Sequence, residues 1–248
     1  MNGMFAQMLA AAAKVEVPID GSTGVWLKSG TTVISSGMRM TGATVSSGQS
    51  QRIYNRGVAV SCIAVGGTQY VSSGGIASET VLIDGGRAYT FNGGSIVSIT
   101  VNSGGIYNVS SGGIDISGSI LSGGTARANA GAMLTDTLIV GGGRVDVIAA
   151  GTVEGAIVSG GLLYMYAGGI VISPTVFLGG RVQGGGGVHN AVVSSGGSLN
   201  ILTNGSGSAI TIMSGGTLMV QSDASALAVT SNAGAVVTVA DGGYIEYA

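Results

Sequence analysis

Residues 71–86 read VSSGGIASETVLIDGG. Two glycine pairs, Gly74 with Gly75 and Gly85 with Gly86, bracket a short segment of mixed apolar and polar residues. A phosphate loop needs one such glycine site, and a disordered linker needs no aliphatics. Here the stretch recurs. The second glycines of alternate pairs, Gly67, Gly86, Gly105 and Gly124, stand 19 residues apart. Gly142, Gly161, Gly180, Gly197 and Gly216 follow at steps of 18, 19, 19, 17 and 19. The intervening second glycines, Gly75, Gly94 and Gly113, lie 8 residues after one anchor and 11 before the next. Self-similarity at a short fixed period marks a solenoid.

The row four residues before each anchor tests the periodicity. It reads Ile63, Leu82, Val101, Ile120, Leu138, Ile157, Val176, Val193 and Ile212, aliphatic throughout, and Val45 extends it. Such a row is expected to point inward and stack on itself from coil to coil. Helices are excluded, because glycine pairs at this spacing would break each one. After the anchor, the second position carries Ala88, Leu163, Val182, Leu199 and Leu218, and the fourth Val71, Val109, Met165, Ile201 and Val220. Alternation with one apolar face is the signature of a strand. Glycine accepts positive φ, so the pairs are expected as corners. Serines beside them, such as Ser72, Ser73, Ser110 and Ser111, supply hydroxyls for turns.

The expected fold is therefore all-β: a parallel β-solenoid of 19-residue coils. Eleven or twelve coils over residues 25–248 make a rod roughly 55 Å long. Residues 1–24 are expected to form a cap, with a short amphipathic helix over residues 4–15. Residues 241–248 (DGGYIEYA) show no comparable cap, though Glu246 there would discourage edge pairing.

Composition agrees. Glycine supplies 48 of 248 residues, yet 45% are hydrophobic and only 8% charged, which excludes an ordinary disordered linker. The two prolines and the lack of a three-residue glycine period exclude collagen. A net charge of −2 without like-charge runs argues against nucleic acid as a partner. No apolar run approaches the ~20 residues of a membrane-spanning helix, so no membrane insertion is expected. The opening MNGMFAQMLAAAAKV lacks the basic start of a signal peptide.

Units such as SSGGIASETVLIDGG, NGGSIVSITVNSGG and AGTVEGAIVSGG resemble the AIDA-type adhesin repeat of bacterial autotransporter passenger domains. The resemblance runs from about Gly42 to Gly243. It implies a right-handed β-helix, secreted or displayed at the cell surface, serving adhesion, autoaggregation or biofilm formation. It also implies O-glycosylation of repeat serines by a glycosyltransferase, with heptose in some members. A translocator barrel, usual in that family, is not seen after the last repeat. The chain then reads either as an excised passenger or as a protein using the repeat for another task.

Few side chains could carry catalysis. Glycosidases need two carboxylates about 5–10 Å apart. Glu79 and Glu154, both seven residues before an anchor, are separated by four coils. Asp136 and Glu154, on adjacent coils, read more simply as a solvated pair. His189, the sole histidine, follows the glycines at 184–187 and reads as a surface residue at a corner, with no Ser or Asp placed to complete a triad. Cys62, the sole cysteine, excludes an intrachain disulfide and reads as a buried apolar thiol. No metal site and no cofactor is expected. One outward stripe stands apart: Tyr70, Tyr89, Asn108, Arg127, Asp146 and Tyr164, flanked by Arg87, Arg144 and Arg181. Aromatic and Arg side chains are enriched at contact surfaces. Exposed strand positions also favour Tyr by themselves, and Arg127 with Asp146 is also readable as a cross-strand pair. The expectation is a non-enzymatic adhesin-like β-helix. Its partners would be other copies of itself or a cell-surface glycan or protein. The alternatives are a filament subunit stacking end to end and, less favoured, a carbohydrate-active β-helix enzyme.

Overall fold

The computed structural model describes residues 14–16, 26–28 and 30–248. Through most of the chain a coil contains one four-residue strand followed by two shorter ones, which merge into the single strands Ser206–Ile212 and Ser225–Ser231 near the C-terminal end. Thr68–Val71, Ile76–Ser78 and Val81–Ile83 form one coil, and Arg87–Thr90 opens the next. The four-residue strands stack into a 13-stranded sheet, and the short strands share a 22-stranded sheet. In the first sheet only Trp26–Lys28 runs antiparallel, so twelve parallel rungs remain. The expected parallel solenoid of 19-residue coils is the observed fold.

The expected helix over residues 4–15 lies outside the described residues except for its last two. Lys14 and Val15 instead belong to the strand Lys14–Glu16, antiparallel to Arg39–Thr41. Trp26–Lys28 pairs in the same way with Thr31–Ile34. A first coil offers unpaired N–H and C=O groups along its edge, and two antiparallel strands satisfy them better than a helix laid across them.

The interior is built from rows one rung apart. In the four-residue strands, the second and fourth residues point inward as expected. Leu163, Met165, Val182, Leu199, Ile201, Leu218 and Val220 are all buried. Tyr107 occupies the same row as Ala88 and Ala126, so its bulk fits between two small neighbours.

The aliphatic row before the anchors holds in part. Val45, Leu82, Val101, Ile120, Val176, Val193 and Ile212 are buried. Ile63 and Ile157 are 39% and 44% exposed, and Leu138 is only half-buried. Their inward partners are Ala64, Val158 and Ile139. For Leu138 the cause is a third glycine: its turn holds Gly141, Gly142 and Gly143, and the residue four before Gly143 is the buried Ile139. For Ile63 and Ile157 the cause is turn length. Val65 and Thr68 are separated by two residues, against three between Ile83 and Arg87. Counting back from the glycine therefore slips by one, and a one-residue slip reverses every side chain.

The glycine pair does two separate jobs. Gly85 has φ of 83°, which an L side chain resists. Gly86 has no such requirement, but a Cβ there would run into the Ala64 carbonyl of the preceding coil. The first glycine turns the chain and the second lets successive coils approach.

A third corner, between the two short strands, carries almost no glycine. Its residues are Gly42, Ser61, Glu79, Ser98, Ser117, Asp136, Gly155, Ser173, Asn190, Ala209 and Ala228, and all have positive φ. Through most of this row the N–H donates to a carbonyl one coil on, as Ser98 does to Ile116 and Ser117 to Thr135, both at 2.8 Å. The backbone ladder holds these residues in the left-handed region, which Asn and Asp tolerate better than most. Each coil thus has three corners, not the two counted from glycines.

Two polar groups lie inside the stack. Gln69 donates to Gln51 at 2.7 Å and accepts from Thr80 at 3.1 Å, and Gln51 donates on to the sulfurs of Met40 and Cys62, so this buried amide ladder is partnered throughout. The second group is open. Asp115 is fully buried, while Ile114 and Ile116 on either side are 41% and 39% exposed. Register with Ile96 and Leu134 forces this inversion. Tyr107 donates to Asp115 Oδ1 at 3.4 Å and its hydroxyl also meets Thr90 at 3.1 Å. Asp115 Oδ2 and Thr137 Oγ1 have no hydrogen-bond partner. Burial pushes the Asp115 carboxyl up to about 7, against the hydrogen bonds from Tyr107 and Gly118, which favour the charged form.

Candidate contact face

The outward rows of the 13-stranded sheet gather the residues singled out from the sequence. The third positions run Arg52, Tyr70, Tyr89, Asn108, Arg127, Asp146, Tyr164, Gln183 and Asn200, each one rung from the next. Arg87, Arg144 and Arg181 share the first-position row. All nine sequence-derived residues therefore lie on one face.

Their local chemistry is less uniform. Tyr70 and Tyr89 stack with centroids 5.5 Å apart, and Phe91 joins both at 6.3 and 6.2 Å. The Arg52 guanidinium covers Tyr70 at 5.6 Å. Arg144 covers Tyr164 at 5.5 Å, and Tyr166 meets Tyr164 edge-on at 4.8 Å. Ring faces are thus largely used within the row. Asp146 is only 4% exposed although it points outward. Arg144 donates to its Oδ1 through Nε at 2.8 Å and approaches it through the second nitrogen at 2.7 Å. Arg127 lies 3.7 Å from Oδ2. The hydrogen bond from Arg144 to Asp146 raises the guanidinium's already high pKa. Asp146 is thus a brace for two arginines; its oxygens are not free for a ligand. Arg87 and Arg181 are exposed and form no ion pair among the described residues.

Other candidates fall elsewhere. Asp136 is a corner residue, and Glu154 precedes the next corner residue, Gly155, so Glu79 belongs with Asp136 and not with Glu154. The short turn before Gly161 accounts for that shift, as it does for Ile157. Asp136 and Glu154 meet through backbone only, Asp136 N–H to Glu154 carbonyl at 2.8 Å. His189 ends the strand Gly187–His189 rather than sitting at a corner. Ser208 is in fact placed beside it, 2.7 Å from Nδ1. Ile172 occupies the rung on its other side, so no acid orients the imidazole and no triad forms. Gly185 and Gly186 shorten the corner of that coil to two residues, which explains the 17-residue step. Cys62 is buried, as expected, and burial pushes its thiol pKa up. The described residues hold no cluster of three or more His, Cys, Asp or Glu. Asp115 and the third corner escaped the sequence reading. The Ile-Asp-Ile alternation at 114–116 suggests the opposite facing, and Ser, Asp or Asn every 19 residues was the available signal for the corner.

No family model and no curated protein matches the sequence. Among solved structures, the chain is similar to the crystal structure of a TibC-catalysed hyper-glycosylated TibA55-350 fragment. The two are 31% identical, with a TM-score of 0.75 over 87% of each chain. The chain belongs to the AIDA-type autotransporter adhesin passengers.

Proposed function

We propose that the chain is a non-enzymatic adhesin displayed at or released from a bacterial surface, making contact through the outward face of its 13-stranded sheet. The observation that carries the reading is the similarity to the TibA fragment along 87% of the chain. The row of Tyr and Arg side chains supplies the contact chemistry, since such residues dominate binding energy at interfaces. A cell-surface glycan or protein is the partner. Modification belongs to the same reading: the TibA fragment is hyper-glycosylated by TibC, and Ser73, Ser103, Ser111 and Ser122 stand exposed at comparable corners here.

The test is adherence of particles coated with the purified chain to cultured cells. Replacing Tyr70, Tyr89 and Tyr164 with Ser is expected to reduce adherence while circular dichroism stays unchanged. Undiminished adherence would remove the face from the account. Release of new reducing ends from polysaccharides incubated with the chain would overturn the non-enzymatic reading.

A further inference from the structure

The face of the 13-stranded sheet is electrically unlike the rest of the molecule. Its outward rows carry five arginines, Arg52, Arg87, Arg127, Arg144 and Arg181, and one carboxylate, Asp146. The chain as a whole is at −2. Glu79 and Asp136 sit on the third corner, Glu154 on a short strand, and Asp84 and Asp223 in turns. Among the described arginines only Arg39, on a short strand, and Arg56, in a turn, lie off this face, so most of the positive charge is gathered on it.

The spacing along the rod is regular. Counting rungs from Thr31–Ile34, Arg52 is on the second, Arg87 on the fourth, Arg127 and Arg144 on the sixth and seventh, and Arg181 on the ninth. Asp146 is shared by Arg127 and Arg144, so those three groups leave one net positive charge. Four net charges then recur every two to two-and-a-half rungs, about 10–12 Å.

We infer that this face binds a linear anionic polysaccharide laid along the rod axis, with a uronate or sulfate in each disaccharide. The inference rests on the adhesive reading above and names its ligand class. An extended disaccharide spans about two rungs, so one acidic group falls opposite each net charge. Duplex DNA is a poor match. It carries a charge every ~1.7 Å, far denser than this row. The phenols of Tyr70, Tyr89 and Tyr164 lie among the arginines and offer hydroxyls to a hydroxyl-rich ligand. Arg87 and Arg181 are exposed and free to reach a carboxylate or sulfate, the anions that guanidinium pairs with best.

The experiment is direct binding of the purified chain to immobilised heparin and polygalacturonate, with neutral dextran and duplex DNA alongside. The acidic polysaccharides are expected to bind, with affinity falling as salt rises. Dextran is expected not to bind, and DNA to bind more weakly at the same salt. The double variant Arg87→Gln with Arg181→Gln is expected to lose about tenfold in affinity and to show a flatter salt dependence. Equal binding of dextran, tighter binding of DNA, or a double variant indistinguishable from the parent would each overturn the proposal. Coated particles that still adhere to cells while no polyanion binds would sink the ligand class and leave the adhesive reading standing. Loss of both would sink both.

Discussion

Replacing Asp115 with Asn should make the protein more stable, and more so at higher pH. The carboxyl lies in the core with Oδ2 unpartnered, and its pKa is raised from 3.8 to about 7. A group whose folded pKa lies above its unfolded value binds its proton more tightly in the native state. Its favourable contribution is therefore complete below pH ~3.8 and is lost as pH rises through about 7. The shift of about three units corresponds to about 4 kcal/mol, an upper figure for a buried group whose surroundings relax. More than half of that loss falls between pH 5 and pH 8. Asparagine keeps the shape and carries no charge. Urea unfolding of parent and variant across that range is the assay. The expected result is a parent that weakens with pH and a variant that weakens much less, so that the two curves diverge. Parallel curves would show that Asp115 is not the titrating group and that the buried Thr90–Tyr107–Asp115 arrangement has been misjudged.

Three further outcomes follow from the coil geometry. Gly86→Ala forces a Cβ against the Ala64 carbonyl and should cost about 1–3 kcal/mol, whereas Gly85→Ala meets only backbone strain of about 1–2 kcal/mol; urea midpoints measure both. Ala209→Gly relieves a left-handed alanine and should stabilise by up to about 1 kcal/mol, read from the same curves. Leu134→Ala removes a fully buried side chain from the row beside Asp115 and should cost about 2–5 kcal/mol, visible as faster hydrogen exchange in neighbouring coils.

Much of this fold could be read from residue spacing because a solenoid repeats its physics. Leu163 and Met165, or Leu199 and Ile201, betray the inward face by alternation alone, and the glycine pairs mark two corners. The third corner was hidden because only Gly42 and Gly155 among its left-handed residues are glycine; the rest are Ser, Glu, Asp, Asn and Ala, held mostly by the backbone ladder to the next coil. Ile63 and Ile157 misled because the turns after them are one residue short, a difference that a count from the anchor absorbs wrongly. Asp115 was unreadable for a related reason: only the register imposed by Ile96 and Leu134 turns it inward. On the contact face, the column of Tyr and Arg was legible because strands stack in register. The sharing of Asp146 by two arginines and the mutual covering of the rings depend on side-chain packing, which periodicity does not specify.

The in-register stack turns scattered residues into one continuous face. Pairs of spin labels on the outward row at Tyr70 and, in turn, Asn108, Asp146, Gln183 and Met219 test it by distance measurement. These positions are 2, 4, 6 and 8 rungs from Tyr70. Separations are expected to grow linearly, about 4.8 Å per rung, to about 38 Å for the last pair. Distances that level off, or that fall out of sequence order, would contradict the stack and with it the face.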